Sequence, residues 1–232
     1  MEEVFEKVGT EVVFDFELFG NQIIINNTEF ITVLVTFALI ILAALLKRKL
    51  KPDNPGKIQV CVEWLVEIVN NLCKTSAGHH GKVFVPYIGT LLVYLSAANI
   101  IALLNFIPGL HIYPPTKDIN VTATFAIITI IVVIVAGLRV KGLKGWAKTF
   151  IDPMPVVAPF KLLEYITKPL SLALRLFGNI FASFIIMEMI FSVVPIPFLS
   201  SPFSAYFDIF DGILQAFIFT YLTIVYIGEA VE

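Results

Sequence analysis

Residues 160–194 read FKLLEYITKPLSLALRLFGNIFASFIIMEMIFSVV, and residues 203–227 read FSAYFDIFDGILQAFIFTYLTIVYI. Each stretch exceeds the roughly 20 apolar residues that a membrane-spanning helix needs. Pro195, Pro197 and Pro202 lie between them, where they end one helix and force a turn before the next. The expected product is a long antiparallel helical hairpin inside a bilayer. Yet this hairpin carries Arg175, Glu188, Asp208 and Asp211, joined by Asn179 and Gln215. A charged side chain at mid-membrane costs about 2.5–3.5 kcal/mol on insertion scales, so such groups face a bundle interior, a partner or a wet cavity. A single ion pair that fixes packing would not need six polar groups.

Working outward, Phe30 to Leu46 is a first span, closed by Lys47, Arg48, Lys49 and Lys51 and stopped by Pro52. Lys57 to Thr75 differs. Ile58, Val62, Leu65, Val66, Val69 and Leu72 recur at three- and four-residue steps, interrupted by Glu63, Glu67, Asn70, Asn71 and Lys74. That pattern predicts an amphipathic helix lying at the membrane interface. Val83 to Leu104 is a second span, and Val121 to Leu138 a third, ended by Arg139, Lys141, Lys144 and Lys148. The expected fold is an all-α membrane protein with five transmembrane helices plus one interfacial amphipathic helix, the last two spans forming the hairpin. The chain then reads as one membrane domain over 1–232. It divides into an outer N-terminal segment (1–29), the first spans with the interfacial helix (30–148) and an ion-path hairpin (155–232).

Composition supports this class. The 232 residues are 58% hydrophobic and 15% charged, with a mean hydropathy of +0.89, whereas soluble domains run near about 25% charged. A net charge of -2 argues against nucleic acid as a partner. The N-terminus carries Glu2, Glu3, Glu6 and Glu11 with one Lys, and lacks the basic start of a signal peptide. Basic residues favour the cytoplasmic side, so 47–51 and 139–148 are expected inside. This places the N-terminus outside and the C-terminus in the cytoplasm of a multi-pass protein in the cell's inner (plasma) membrane. Cys61 and Cys73, twelve residues apart on one helix, read as reduced apolar side chains, and His79-His80 as a polar turn. No metal or cofactor is expected.

Helical geometry sorts the polar residues. At about 100° per residue, Ser171, Arg175, Asn179, Ala182 and Ile186 share one face, with Gly178 beside it. Glu164 and Lys168 project the same way on the cytoplasmic side, and with Ser171 they suggest an inner aqueous path. Glu188 points to nearly the opposite face. On the last helix, Asp208, Asp211, Gln215 and Tyr226 fall on one stripe. Folding the hairpin about its turn sets Glu188 and Asp208 at similar depth, outward of Arg175. Acids in the outer half can relay protons or ligate a hard cation. A fixed cation beyond them blocks straight passage by repelling the permeating ion. The arrangement suits a half-channel that ends at a barrier.

The run Leu174-Arg175-Leu176-Phe177-Gly178-Asn179, preceded by Lys168-Pro169-Leu170-Ser171, strongly resembles subunit a of F-type ATP synthases. So do Gln215-Ala216-Phe217-Ile218-Phe219 with Leu222-Thr223-Ile224-Val225-Tyr226, and the loop Asp118-Ile119-Asn120-Val121-Thr122. The resemblance covers essentially the whole chain. It implies a non-catalytic stator subunit whose two long tilted helices lie against a rotating c-ring, with peripheral-stalk b subunits, the lipid bilayer and H⁺ or Na⁺ as further partners. Arg175 would face the ring's ion-binding carboxylate, force it to release its ion and prevent leakage between two offset half-channels. Asn179 and Gln215 match family positions close to that Arg. Two positions depart from the pattern. Many bacterial relatives carry Glu where this chain has Phe184, and His where it has Asp208; Glu188, one turn beyond Phe184, supplies an acid on that face.

Two other classes compete. A stand-alone secondary transporter or channel would often show inverted repeats; no repeat is visible, and the two halves differ in polar content. An intramembrane aspartyl protease needs carboxylates from two segments converging on one water, whereas Asp208 and Asp211 lie three apart on one helix.

Overall fold

The computed structural model describes residues 12–18, 21–51, 55–101, 114–151, 158–193 and 205–231. Val12–Leu18 (β1) and Asn21–Asn26 (β2) pair antiparallel, with Leu18 opposite Asn21. This hairpin adds strands to a fold otherwise built of helices. It lies within the N-terminal segment 1–29, and α1 (Asn27–Lys49) follows it without a break. Glu29 in the first turn of α1 and Lys47, Arg48 and Lys49 in the last complement the helix dipole. Most of α1 is bare: Val33, Phe37, Ile40 and Leu45 are all exposed, as befits a helix solvated by lipid.

The amphipathic stretch forms α2 (Lys57–Ala77), a few residues longer than expected. Val69, Cys73 and Ala77 are buried, while Ile58, Trp64 and Val66 are exposed. A 3-10 helix over Gly78–Val83 extends α2, and the chain then bends by 118° into α3 (Val85–Ile100), the described part of the second span. After a one-turn helix at Pro115–Lys117 comes α4 (Ile119–Ile151). Its helical path is interrupted at Gly142, whose φ of 69° suits a residue without Cβ. Then come α5 (Ala158–Val193), a π-helical turn (Ala205–Asp211) and α6 (Gly212–Val231). Four stretches, Asn27–Lys49, Ile119–Trp146, Ala158–Met187 and Ile209–Val231, are long and apolar enough to cross a bilayer, and the bent α2–α3 pair makes up to five. The 195–202 turn lies outside the described residues.

The last helix is the centre of the bundle. One cluster packs Val69 and Cys73 of α2, Ile88 of α3, Val133 of α4 and Ile224 and Ile227 of α6. A second packs Leu91 and Leu95 of α3, Ala126 of α4, Leu172, Leu176 and Ile180 of α5, and Ala216 and Phe219 of α6. In lipid there is little hydrophobic drive between helices, so close van der Waals approach has to hold them. Gly228 shows that approach: a Cβ there would run into the backbone carbonyl of Ser76.

Candidate ion-path site

Pro169 lies inside α5, yet the helix continues from Ala158 to Val193. Leu172, Leu176 and Ile180 are buried in the bundle. Ser171, Arg175, Asn179, Ala182 and Ile186 are all exposed, so the expected stripe exists and turns away from the chain's own core. Among the described residues, Arg175 makes no hydrogen bond or ion pair. Beside it, a Cβ added to Gly178 would meet nothing within 4 Å. A guanidinium in the middle of an apolar helix has, among the described residues, no partner of the kind that membrane burial demands.

Behind this stripe, α5 is laced to the end of the chain. Asn179 Nδ2 donates to Gln215 Oε1 at 2.7 Å. One turn further, Ser183 Oγ donates to Asp211 Oδ2 at 3.3 Å. A step of four forward on α5 matches a step of four backward on the partner segment, the register of antiparallel helices. Gln215 is 1% exposed, and its Nε2 has no acceptor among the described residues. The expected stripe of Asp208, Asp211, Gln215 and Tyr226 needs correction. Ala205–Asp211 is π-helical, with wider turns than an α-helix, so the 100° spacing does not carry across Gly212. Glu188 and Asp208 lie on α5 and the π-helical turn, but their side chains are outside the described residues.

At the opposite end of α5, Lys168 Nζ lies 2.6 Å from Glu229 Oε2 and 3.4 Å from Glu164 Oε2, and 5.2 Å from the centre of the Tyr226 ring. These four residues, with Lys161, Tyr165 and Thr149, line a cavity of ≈ 130 Å³. Glu164 and Lys168 were expected here; Glu229 was not. Ser171 stands one turn further along, on the exposed stripe.

Sequence reasoning also missed a buried polar link beside Asp211. Asn99 Nδ2 donates to the Gly212 carbonyl at 2.8 Å, and Thr116 Oγ1 donates to Asn99 Oδ1 at 2.5 Å. An Asn inside an otherwise apolar span was the available signal. Asp118 of the loop motif receives a bond from the Asn120 amide at 2.8 Å and from Thr28 Oγ1 at 3.3 Å. It thereby caps α4 and ties it to α1.

A sequence model of the family described as ATP synthase A chain matches residues 29–228. The chain is also 36% identical over 178 residues to ATP synthase subunit a of Moorella thermoacetica, an alignment covering 77% of this chain and 78% of the relative. The three motifs around Asp118, Arg175 and Gln215 all fall inside the matched region, and the chain belongs to the ATP synthase A chain family.

Proposed function

We propose that this chain is the stator subunit of a rotary F-type ATP synthase, with two offset half-channels that pass H⁺ or Na⁺ to and from the carboxylates of a rotating c-ring. Family membership makes it a component of the membrane F0 sector rather than the catalytic subunit. The observation that carries the finer reading is the bare Arg175 on the Ser171–Ile186 stripe. A guanidinium with no partner among the described residues, placed at mid-membrane, calls for an anionic group, and a ring carboxylate meets that need. Arg is suited to the role because its charge is spread over a planar group and is not lost by deprotonation.

In this reading Glu164, Lys168, Ser171 and Glu229 line the inner half-channel, which opens through the ≈ 130 Å³ cavity. Glu188, Asp208 and Asp211 line the outer one. Asn179 and Gln215 brace the two helices at the level of Arg175. The N-terminus lies outside, the C-terminus in the cytoplasm, and α2 lies at the inner interface with its exposed Ile58 and Trp64 toward lipid. Reconstitution distinguishes this reading from a stand-alone transporter. The purified chain in vesicles should pass no ions, and the complex with its c-ring should. Ion flux by the isolated chain would favour the transporter.

A further inference from the structure

Lys117 is not among the residues assigned to the ion path, yet the fold brings it to that path. It is 8% exposed, and its ammonium lies 3.5 Å from the centre of the Phe184 ring on α5. A closed circuit of neighbours fixes this position. Thr116, next to Lys117, bonds Asn99; Asn99 bonds the carbonyl of Gly212. Gly212 follows Asp211, Asp211 accepts from Ser183, and Ser183 precedes Phe184. A Cβ on Gly212 would come 2.9 Å from that of Asn99, so the circuit is tightly closed there. The loop, α3, α5 and the start of α6 therefore hold one ammonium at the level of the Ser183–Asp211 pair. An aromatic face is a good seat for a desolvated ammonium.

We propose that Lys117 is a fixed positive charge of the outer half-channel, which weakens the hold of its acids on the permeating cation so that ions move on toward Arg175. This rests on the stator reading above. Conduction needs binding strong enough for an ion to arrive and weak enough for it to leave. The acids of this end tend to trap a cation, and a nearby ammonium offsets that attraction. The charged groups gathered here are Lys117 and Asp118 of the loop, Glu29 next to the Thr28 that bonds Asp118, and Asp211; Glu188 and Asp208 lie on the flanking segments. The described part of α3 contributes no charged side chain. Lys117 is a positioning residue: it acts on the ion through the acids.

The test uses the whole complex in vesicles, with ATP synthesis driven by imposed H⁺ or Na⁺ gradients and the outer-side ion concentration varied. Lys117→Met keeps the aliphatic stem and removes the charge; Lys117→Gln is a second neutral variant, and Lys117→Arg keeps the charge. Removing one nearby unit charge in a partly screened site should lower the half-saturating ion concentration by about three- to tenfold, with a lower maximal rate. Lys117→Arg should restore both. A fall in maximal rate without tighter half-saturation, unchanged kinetics, or failure of both neutral variants to assemble would give Lys117 a purely structural role and overturn the proposal. Arg175→Ala run in parallel separates the two levels. If it synthesises ATP normally, the stator reading itself fails, whatever Lys117 does.

Discussion

Asn179 Nδ2 on α5 donates to Gln215 Oε1 on α6 at 2.7 Å, one helical turn from Arg175. Asn179 lies on the exposed stripe one turn from Arg175, whereas Gln215 is buried. The bond therefore transmits the position of the core helix to the face that carries the guanidinium. Asn179→Leu would strand the buried Gln215 amide, a loss of about 1–3 kcal/mol. Gln215→Leu would free the exposed Asn179 at less cost to the fold. Both single variants should slow ion-driven synthesis. The double variant should cost less than the two losses added together. Strict additivity in the rates, measured on the assembled complex, would show that the pair does not act as a unit.

Two glycines separate folding from function. At Gly228 an added Cβ collides with the Ser76 carbonyl, a backbone atom with little freedom to move. Gly228→Ala should lower the thermal stability of the assembled protein by the about 1–3 kcal/mol typical of overpacking. At Gly178 the chain leaves open space. Gly178→Leu should leave stability near wild type but, on the proposed stator function, reduce coupled synthesis severalfold, because the bulk enters the open space beside Arg175. Equal behaviour of the two variants in a melting assay would argue against a partner at Gly178.

Lys168 and Glu229 offer a charge-swap test at the inner cavity. Both side chains are partly exposed, 23% and 53%, so their 2.6 Å contact contributes little to stability, about 0–1 kcal/mol for such pairs. Glu229→Lys should nevertheless cut synthesis, since it turns the lining of the inner path positive. Lys168→Glu combined with Glu229→Lys should recover part of the rate. No change in rate for Glu229→Lys would remove Glu229 from the path.

The periodic features of this fold were legible in the chain itself. Hydrophobic runs and basic ends marked the helices, and the 3.6-residue repeat placed Ser171, Arg175, Asn179, Ala182 and Ile186 on one face, where the structure has them. The β-hairpin was missed although Val12, Phe14, Phe16 and Leu18 alternate with other residues, a strand signal overshadowed by the acidic character of the segment. The π-helical turn was not legible, because residue spacing assumes a regular helix. Contacts distant in sequence were out of reach: Asn99 meets Gly212 across 113 residues, and Lys117 meets the Phe184 ring on α5. Glu229 escaped notice because its partner, Lys168, lies 61 residues away on another helix.

Arg175 is exposed and has no hydrogen bond or ion pair among the described residues, and on the proposed function it meets the ion-binding carboxylate of the c-ring. The most direct measurement is gradient-driven ATP synthesis by the assembled complex carrying Arg175→Ala. Arg175→Ala should assemble normally with synthesis abolished, and Arg175→Lys should lose nearly all of it as well, since a compact ammonium does not reproduce the spread guanidinium charge. Synthesis at the wild-type rate in Arg175→Ala vesicles would contradict that role for Arg175.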